Sequence, residues 1–244
     1  MKAHRPTVID LFSGAGGFSL GFQAAGCQIL AAVDIDENAG RTFETNFSIL
    51  QPRHPPRVFS GDEGNIEDVN LPALGGSSPD ILIGGPPCQG FSRVGRGKLD
   101  SLSDEGFAAD ARNSLYRRFV AAAGKWQPRA VIMENVPGML SVEGRSVADE
   151  AASDLISQGY RVGYAALNAV WLGVPQFRER LFFVGFRNDL GLQPSLPAAT
   201  HHAELPAGYQ AASPELFLPF ADVHHELSVD TKGAVLPATL FRLL

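Results

Sequence analysis

The residue best placed to do chemistry is Cys88, within the stretch GGPPCQGFS at positions 84–92. An apolar run at residues 81–83 precedes this stretch and predicts a buried strand that ends at the glycines. Glycines permit a tight turn there, and two prolines restrict the backbone directly before the thiol. A cysteine that only packs is usually a small apolar side chain within a helix or strand. We therefore predict that Cys88 is a nucleophile, held in a rigid loop at the carboxyl end of a strand.

A second candidate, Glu134, follows the apolar run at residues 130–133 and precedes the turn-forming pair Pro137 and Gly138. A carboxylate at the end of a buried strand usually has a partner or a function. Because the carboxyl ends of parallel strands lie at one edge of a sheet, we expect Glu134 to approach Cys88.

Two arginines form the third candidate group, in the sequence QFRER at positions 176–180. Arg178 and Arg180 alternate with Phe177 and Glu179, so both lie on one face of an extended segment. Two guanidinium groups on one face can bind phosphate or carbonyl oxygens. The alternative is a salt-bridged rim of the sheet.

Strands and helices that alternate along the chain must position these groups. Residues 7–12 predict a strand, the glycine-rich SGAGG at 13–17 a turn, and residues 18–25 a helix. This order begins a nucleotide-binding half-fold, although the spacing is not GxGxxG. The other predicted strands cover 28–33, 58–60, 160–168 and 181–186, and the other predicted helices cover 37–47, 112–126 and 146–158.

Asp34 comes directly after the second predicted strand. A carboxylate at this position can accept hydrogen bonds from ribose hydroxyls, and Ile35 beside it is available to an adenine face. Asp36 is predicted to be the N-cap of the following helix.

The composition indicates a globular protein, with 244 residues of which 45% are apolar and 19% are charged. Two cysteines, Cys27 and Cys88, exclude a disulfide framework and a cysteine zinc cluster, and they favour a reducing, cytoplasmic setting. No apolar run is long enough to cross a membrane, and the first residues lack a signal-peptide pattern.

The net charge of −6 is unevenly distributed, because residues 93–129 carry eight basic and four acidic side chains. Such a segment can contact phosphates even on an acidic protein, although a solvated helix face explains part of it equally well. Within it, residues 93–110 are glycine-rich and lack a hydrophobic period. We predict that they form a lid or binding loop.

Several of these segments together resemble the cytosine-C5 DNA methyltransferases. The matching pieces occur in the family's order and are DLFSGAGGFSLGF at 10–22, the Asp34 region, GGPPCQGFS at 84–92, ARNSLY at 111–116, MENVPGML at 133–140 and LNAVWLGVPQFRERLFFVGFR at 167–187. The resemblance implies an α/β, Rossmann-like fold with a mostly parallel central sheet flanked by helices. It also implies DNA methylation in the cytoplasm of a prokaryotic cell, as in restriction–modification systems. The protein is implied to associate with the nucleoid when it acts.

The resemblance implies S-adenosylmethionine as the methyl donor and assigns a set of cofactor-binding residues. These are Phe12, Ser13, Gly14, Ala15, Gly16, Gly17, Asp34, Ile35, Asn65, Ile66, Pro86 and Leu115. Double-stranded DNA is the implied partner, and the implied DNA contacts are Gln89, Ser92, Arg93, Arg96 and Gln176. No metal is implied.

The resemblance also assigns the roles at the cytosine, which is implied to be flipped out of the duplex. Cys88 is the implied nucleophile at ring atom C6, and Glu134 holds the N3 edge of the ring. Arg180, supported by Arg178, contacts the cytosine or its phosphates. The chemistry requires a raised pKa for Glu134 and a thiolate at Cys88.

The match ends near Arg187, and residues 188–244 contain neither a target-recognition region nor the family's last two motifs. We therefore expect a cofactor-binding and catalytic domain at 1–187 and a connecting segment at 188–244. Three explanations remain open: a split enzyme with a second polypeptide, a truncated or degenerate inactive gene product, and a non-catalytic scaffold for cofactor or DNA. The acidic remainder and the apolar end at 239–244 favour the split enzyme.

A nicotinamide- or flavin-binding Rossmann enzyme with a redox cysteine is an alternative from a different class. It explains the glycine turn and Asp34, but the sequence lacks GxGxxG and CxxC. It also leaves the three motifs around Cys88, Glu134 and Arg178 without a role.

Overall fold

The computed structural model describes residues 5–67, 78–87, 115–140 and 146–201, together with the backbone of residues 217–218. These residues belong to two units. The first contains residues 5–67, 78–86 and 118–133, and the second contains Pro87, residues 115–117, 134–140, 146–201 and 217–218. The predicted division into residues 1–187 and 188–244 stays a prediction.

Five parallel strands and their connecting helices build the first unit. The strands are β1 (Thr7–Leu11), β2 (Gln28–Asp34), β3 (Arg57–Ser60), β4 (Ile81–Gly84) and β5 (Ala130–Asn135), whose last two residues belong to the second unit. The helices are α1 (Gly17–Ala24), α2 (Glu37–Leu50) and α3 (Leu115–Trp126), which begins in the second unit. The first and last residues of each strand lie within two positions of the bounds that the apolar runs predict.

The strand order in this unit is β3-β2-β1-β4-β5, and all four pairings are parallel. Parallel strands that are covered on both faces consist of nearly continuous apolar side chains. Residues 81–84 of β4 and 130–133 of β5 are all buried, as this rule requires. The order reverses between β1 and β4, and the crevice at such a reversal binds ligands in open α/β sheets.

Antiparallel strands characterise the second unit. β6 (Tyr160–Asn168) pairs along its whole length with β7 (Glu179–Arg187), and β8 (Phe217–Leu218) pairs with the other edge of β6. The helix α4 (Val147–Ser157) precedes β6, and Ser146 caps it by accepting a hydrogen bond from the Asp149 amide. The sheet pairings described are thus mostly parallel and its strands alternate with helices, which confirms the predicted α/β class.

β5 and β7 extend furthest beyond their predicted ranges. β5 continues through Glu134 and Asn135, and β7 begins at Glu179 instead of Leu181. Propensity alone ends a strand at a charged residue, but the β6–β7 pairing continues to Asn168 opposite Glu179. In the described part of the chain, no helix combines the length and the apolar character needed to span a bilayer.

Candidate active site

The turn after β1 has a backbone that only a glycine-rich sequence adopts easily. Gly14 and Gly16 have positive φ angles of 53° and 93°, and Phe12 has a φ of 60°. The Ser13 amide donates to the carbonyl oxygen of Val33 at 3.0 Å. These contacts hold the predicted cofactor turn against the end of β2.

Asp34 connects the turn to the start of α2. Its Oδ2 accepts a hydrogen bond from the Gly14 amide at 2.7 Å, and its Oδ1 accepts one from the Asp36 amide at 2.9 Å. A carboxylate has about four acceptor positions, so two remain for a ligand such as a ribose. Ile35 beside it is 68% exposed, which leaves a large apolar side chain in water. Asp36 caps α2 as predicted, because its Oδ1 accepts from the amides of Asn38 and Ala39.

Two glycines of the turn face open space. Among the described residues other than its chain neighbours, a Cβ atom added to Gly14 or Gly17 would meet no heavy atom within 4 Å, whereas one added to Gly16 would lie 2.7 Å from the Phe43 ring. The turn therefore has a closed side against the core and an open side that a ligand can approach. The open backbone, the free acceptor positions of Asp34 and the exposed Ile35 fit a nucleoside-containing cofactor such as S-adenosylmethionine.

The other predicted cofactor residues follow neighbouring strands or begin a helix. Asn65 and Ile66 come after β3 and a short 3₁₀ helix (Gly61–Gly64), and both are partly buried. A Cβ on Gly64 would clash with the carbonyl oxygen of Asp34, so this glycine brings the Asn65 turn close to the end of β2. Pro86 is buried after β4, and Leu115 is partly buried at the start of α3.

Asp10 is a buried acid in β1 that the sequence analysis does not single out. It is fully buried, its Oδ2 accepts a hydrogen bond from the Ser19 hydroxyl at 2.7 Å, and its Oδ1 has no hydrogen-bond partner. Burial raises the pKa of this carboxyl, the bond from Ser19 lowers it and the negative charge of Asp34 raises it, and together these effects bring the pKa to about 7. An acidic residue inside the apolar run 7–12 was the signal available in the sequence.

Replacing Asp10 with asparagine is expected to change how stability depends on pH. The pKa of Asp10 is about 7 in the folded protein and 3.8 ordinarily, so the folded state binds this proton more tightly. The resulting stabilisation is complete below about pH 4 and is lost as the pH rises to about 7. The unfolding free energy of the wild type minus that of D10N should fall by up to roughly 4 kcal/mol across this interval. Urea denaturation at a series of pH values measures this difference.

Asp62→Asn, which changes an exposed carboxylate of the same unit, is the control. Identical pH slopes for the wild type and D10N would contradict the prediction.

Glu134 and the two arginines meet in the second unit. Oε1 of Glu134 lies 2.8 Å from Nε of Arg180 and 3.7 Å from an Nη atom of Arg178. The alternation in QFRER thus brings both guanidinium groups to one carboxyl oxygen, as the period of two predicts. The Glu134 side chain is 24% exposed, and burial raises the pKa of its carboxyl while Arg180 and Arg178 lower it. Desolvation is the largest of these effects, so the net pKa is above the ordinary value.

Of the two cysteines, only Cys27 lies within the described residues. Cys27 is free and fully buried, and burial raises the pKa of its thiol to about 12. A thiol with this pKa is not a thiolate at neutral pH and is not a nucleophile. Cys88 lies outside the described residues, as do Gln89, Ser92, Arg93, Arg96 and the predicted lid at 93–110. The base of its loop is described, since the Gly85 amide donates to the Leu11 carbonyl at 3.3 Å.

Comparison with known proteins identifies the family. The sequence profile of the C-5 cytosine-specific DNA methylases matches residues 6–228. The chain belongs to this family. The resemblance inferred from the motifs is thereby confirmed.

The relatives of this family member include bacterial enzymes. Type II methyltransferase M1.HphI of Haemophilus parahaemolyticus is 39% identical over 197 residues, which are 80% of this chain and 49% of that protein. Type II methyltransferase M.DdeI of Desulfomicrobium norvegicum is 38% identical over 185 residues, which are 75% of this chain and 41% of that protein. The chain therefore spans less than half the length of these curated relatives.

Solved structures agree with the fold of this methylase family member. A crystal structure assigned to a DNA modification methyltransferase encoded within an E. coli prophage has a TM-score of 0.60 and 33% sequence identity, and the match covers 78% of this chain and 49% of that chain. The S. pombe Dnmt2 methyltransferase, at 18% identity and a TM-score of 0.54, shares the fold. The predicted Rossmann-like methyltransferase fold is confirmed.

Two further features complete the site of this methylase family member. Gln176, a predicted DNA contact, is exposed in the loop before Arg178, and its amide donates to the Val174 carbonyl at 2.7 Å. Asn168 is a buried polar residue at the start of the same loop, and the sequence analysis assigns it no role. Its position as a polar residue at the carboxyl end of a predicted strand was the signal available in the sequence. Among the described residues, no group of three or more His, Cys, Asp or Glu side chains is arranged to hold a metal ion.

Proposed function

We propose that this chain is the catalytic part of a DNA cytosine-5 methyltransferase of a restriction–modification system, acting in the cytoplasm of a prokaryotic cell at the nucleoid. The observation that carries the proposal is the pairing of one partly buried carboxyl, Glu134, with two arginines on one strand segment. Family membership and the open turn after β1 support it.

The cofactor of the proposed reaction is S-adenosylmethionine, which supplies the methyl group when bound. The turn from Phe12 to Gly17 accommodates its backbone-facing side, and Asp34 accepts hydrogen bonds from its ribose. Ile35, Asn65 and Ile66 would border its adenine, and Pro86 and Leu115 are the remaining residues that the resemblance assigns to the cofactor. The two open glycines and the free acceptor positions of Asp34 support this assignment.

The target is a cytosine that has been flipped out of the duplex, because its ring atoms are otherwise inaccessible. The Cys88 thiolate forms a bond from Sγ to C6. The electrons of the C5–C6 double bond then form a C4–C5 double bond, and those of the C4–N3 double bond move to N3, so that C5 becomes a nucleophilic enamine carbon. Glu134 in its acid form donates a hydrogen bond at N3, where negative charge develops. The raised pKa of Glu134 favours this acid form.

The remaining steps restore the aromatic ring. C5 takes the methyl group while the C4–N3 double bond re-forms, and the bond between that methyl group and the cofactor's sulfur would break with its electron pair left on the sulfur. A base then removes the C5 proton, and the electrons of that C–H bond re-form the C5–C6 double bond while the Sγ–C6 bond breaks. Arg180, supported by Arg178, holds Glu134 and contacts the cytosine or its phosphates. Gln89, Ser92, Arg93, Arg96 and Gln176 contact the DNA in this proposal.

Target recognition is proposed to come from residues outside this sequence, on a second polypeptide. The match covers less than half the length of the two relatives described above, so both contain further segments in which a recognition region can lie. The reading frame next to the gene is the first place to search for a recognition region and the last two family motifs.

Covalent trapping on DNA that contains 5-fluorocytosine tests the proposal, because the fluorine atom prevents the final elimination. The chain together with the second polypeptide is expected to form a protein–DNA adduct that survives denaturation. Cys88→Ala is expected to form none, and Cys27→Ala, which changes the buried cysteine, should form the same adduct as the wild type. Trapping by C88A would remove Cys88 from the role.

Two further arms separate the parts of the proposal. The chain alone should bind S-adenosylmethionine in calorimetry but should not trap DNA. Robust sequence-specific methylation by the chain alone would reject the second polypeptide. Cofactor binding without any adduct, even with the second polypeptide, would favour an inactive scaffold that binds cofactor or DNA.

A further inference from the structure

The loop that delivers the two arginines is closed at both ends by one buried side chain. Asn168, the last residue of β6, is 1% exposed. Its Oδ1 accepts hydrogen bonds from the Val170 amide at 3.2 Å and from the Arg178 amide at 3.1 Å. The Ala169 amide donates to the Arg178 carbonyl at 2.9 Å. The backbone of Arg178 is therefore held through both its amide and its carbonyl.

The strand register extends this control to the second arginine. Asn168 lies opposite Glu179, and Leu167 lies opposite Arg180. An Nη atom of Arg180 donates to the Glu179 carbonyl at 2.6 Å, while its Nε reaches Glu134. The first residues of β7 are thus aligned by the same short segment of β6 that contains Asn168.

We propose that Asn168 is a positioning residue that holds Arg178 and Arg180 against Glu134. The inference rests on the proposed role of Glu134 at the cytosine, which it deepens by naming what sets the surroundings of that carboxyl. In this scheme Asn168 has no chemical role of its own at the cytosine. It acts through the backbone that carries the guanidinium groups.

A simply satisfied core asparagine is the competing explanation. Buried backbone amides need acceptors, and an apolar residue at 168 would leave the amides of Val170 and Arg178 without one. A loop that left the amides of Val170 and Arg178 exposed to water would need no such acceptor. The observed arrangement is more specific, because one of the two bonds crosses the loop to the residue whose side chain approaches Glu134.

The protonation of Glu134 reports on this positioning. Arg180 and Arg178 are the charged groups that act on its carboxyl, and both lower its pKa. Loosening either arginine should therefore raise the pKa of Glu134. The pKa can be measured by NMR on protein carrying ¹³C in the glutamate carboxyl groups, with E134Q used to assign the signal. No DNA or cofactor is needed.

Asn168→Ala is expected to shift the pKa of Glu134 upward, as is Arg178→Gln. The two effects should not be additive, since R178Q on the N168A background removes an arginine that is already loosened. Asn168→Ser serves where N168A does not fold. Its hydroxyl can accept from Val170, two residues on, but is one atom shorter, so the bond to Arg178 is lost and the upward shift should persist.

Ser146→Ala is the matched control, because it removes a cap from α4 in the same unit without touching the arginines. It should lower the melting temperature and leave the pKa of Glu134 unchanged. An unchanged pKa in both N168A and N168S, or an equal shift in S146A, would overturn the positioning role. Adduct formation by Cys88 is measured separately, so either proposal can fail while the other stands.

Discussion

Replacing Glu134 with alanine is expected to lower the rate of DNA methylation by about 10²- to 10⁴-fold, which is the usual contribution of a general acid. The change removes the hydrogen-bond donor at N3 and leaves two guanidinium groups without the carboxyl that now pairs with them. Single-turnover methylation of DNA in the presence of the second polypeptide measures the chemical step. Tight DNA binding with a lost chemical step is the expected combination.

Glutamine at the same position separates charge from shape. Glu134→Gln keeps a hydrogen-bond donor but no longer titrates, so the loss of rate should be smaller than in E134A. Glu134 must be in its acid form in the proposed reaction, and its raised pKa extends that form to higher pH. The wild-type rate should therefore fall as the pH rises through the pKa of Glu134, and E134Q should lack this fall.

Asp189→Asn is the matched control, because it breaks another carboxylate–arginine pair of the same unit, in which Oδ1 of Asp189 lies 2.7 Å from Nε of Arg187. It is expected to leave the methylation rate unchanged. An E134A protein that methylates at the wild-type rate would exclude Glu134 from the chemistry.

Replacing Gly16 with alanine is expected to destabilise the first unit by roughly 2–5 kcal/mol, as the sum of left-handed strain and overpacking. Gly16 has a φ of 93°, and a Cβ there would lie 2.7 Å from the Phe43 ring and 2.9 Å from the Phe47 ring. Both rings are buried and are stacked with centroids 4.2 Å apart, so neither can move freely. Chemical denaturation measures the loss.

Gly17→Ala is the matched variant, one residue along the same turn. Gly17 is the first residue of α1, and a Cβ there would meet nothing within 4 Å. Stability should be unchanged or raised by up to about 1 kcal/mol, because alanine favours the helix over glycine. The affinity for S-adenosylmethionine should nevertheless fall, since the side-chain methyl group of the new alanine enters the open side of the turn. Equal stability of G16A and G17A would contradict the closed side inferred for Gly16.

Much of the fold could be predicted because its signals are local. Apolar runs bounded by Gly, Pro or a carboxylate located every strand of the first unit, and the side chain of Asp36 identified the start of α2. The order of QFRER was enough to bring Arg178 and Arg180 to one face. These features depend on backbone preference and side-chain period, which a short stretch of sequence determines by itself.

Other features depend on contacts between distant parts of the chain. The sequence contains the acid at Asp10, but its raised pKa follows from complete burial within the sheet, although the hydrogen bond from Ser19 on α1 lowers the pKa. Similarly, nothing in the spacing of glycines distinguishes Gly16, which faces two phenylalanines of α2, from Gly17, which faces open space. Pairing with β6 extended β7 past Arg180 to Glu179, although propensity would begin that strand after the charged residues.

The sequence by itself determined the α/β class, the family and the residues that the proposed chemistry needs, because each is encoded in a contiguous motif. Only the tertiary structure decided that one oxygen of Glu134 approaches both arginines and that Asn168 closes the loop from residue 168 to residue 178. Desolvation and hydrogen-bond geometry cause these effects, and both arise only when residues far apart in the sequence are packed together.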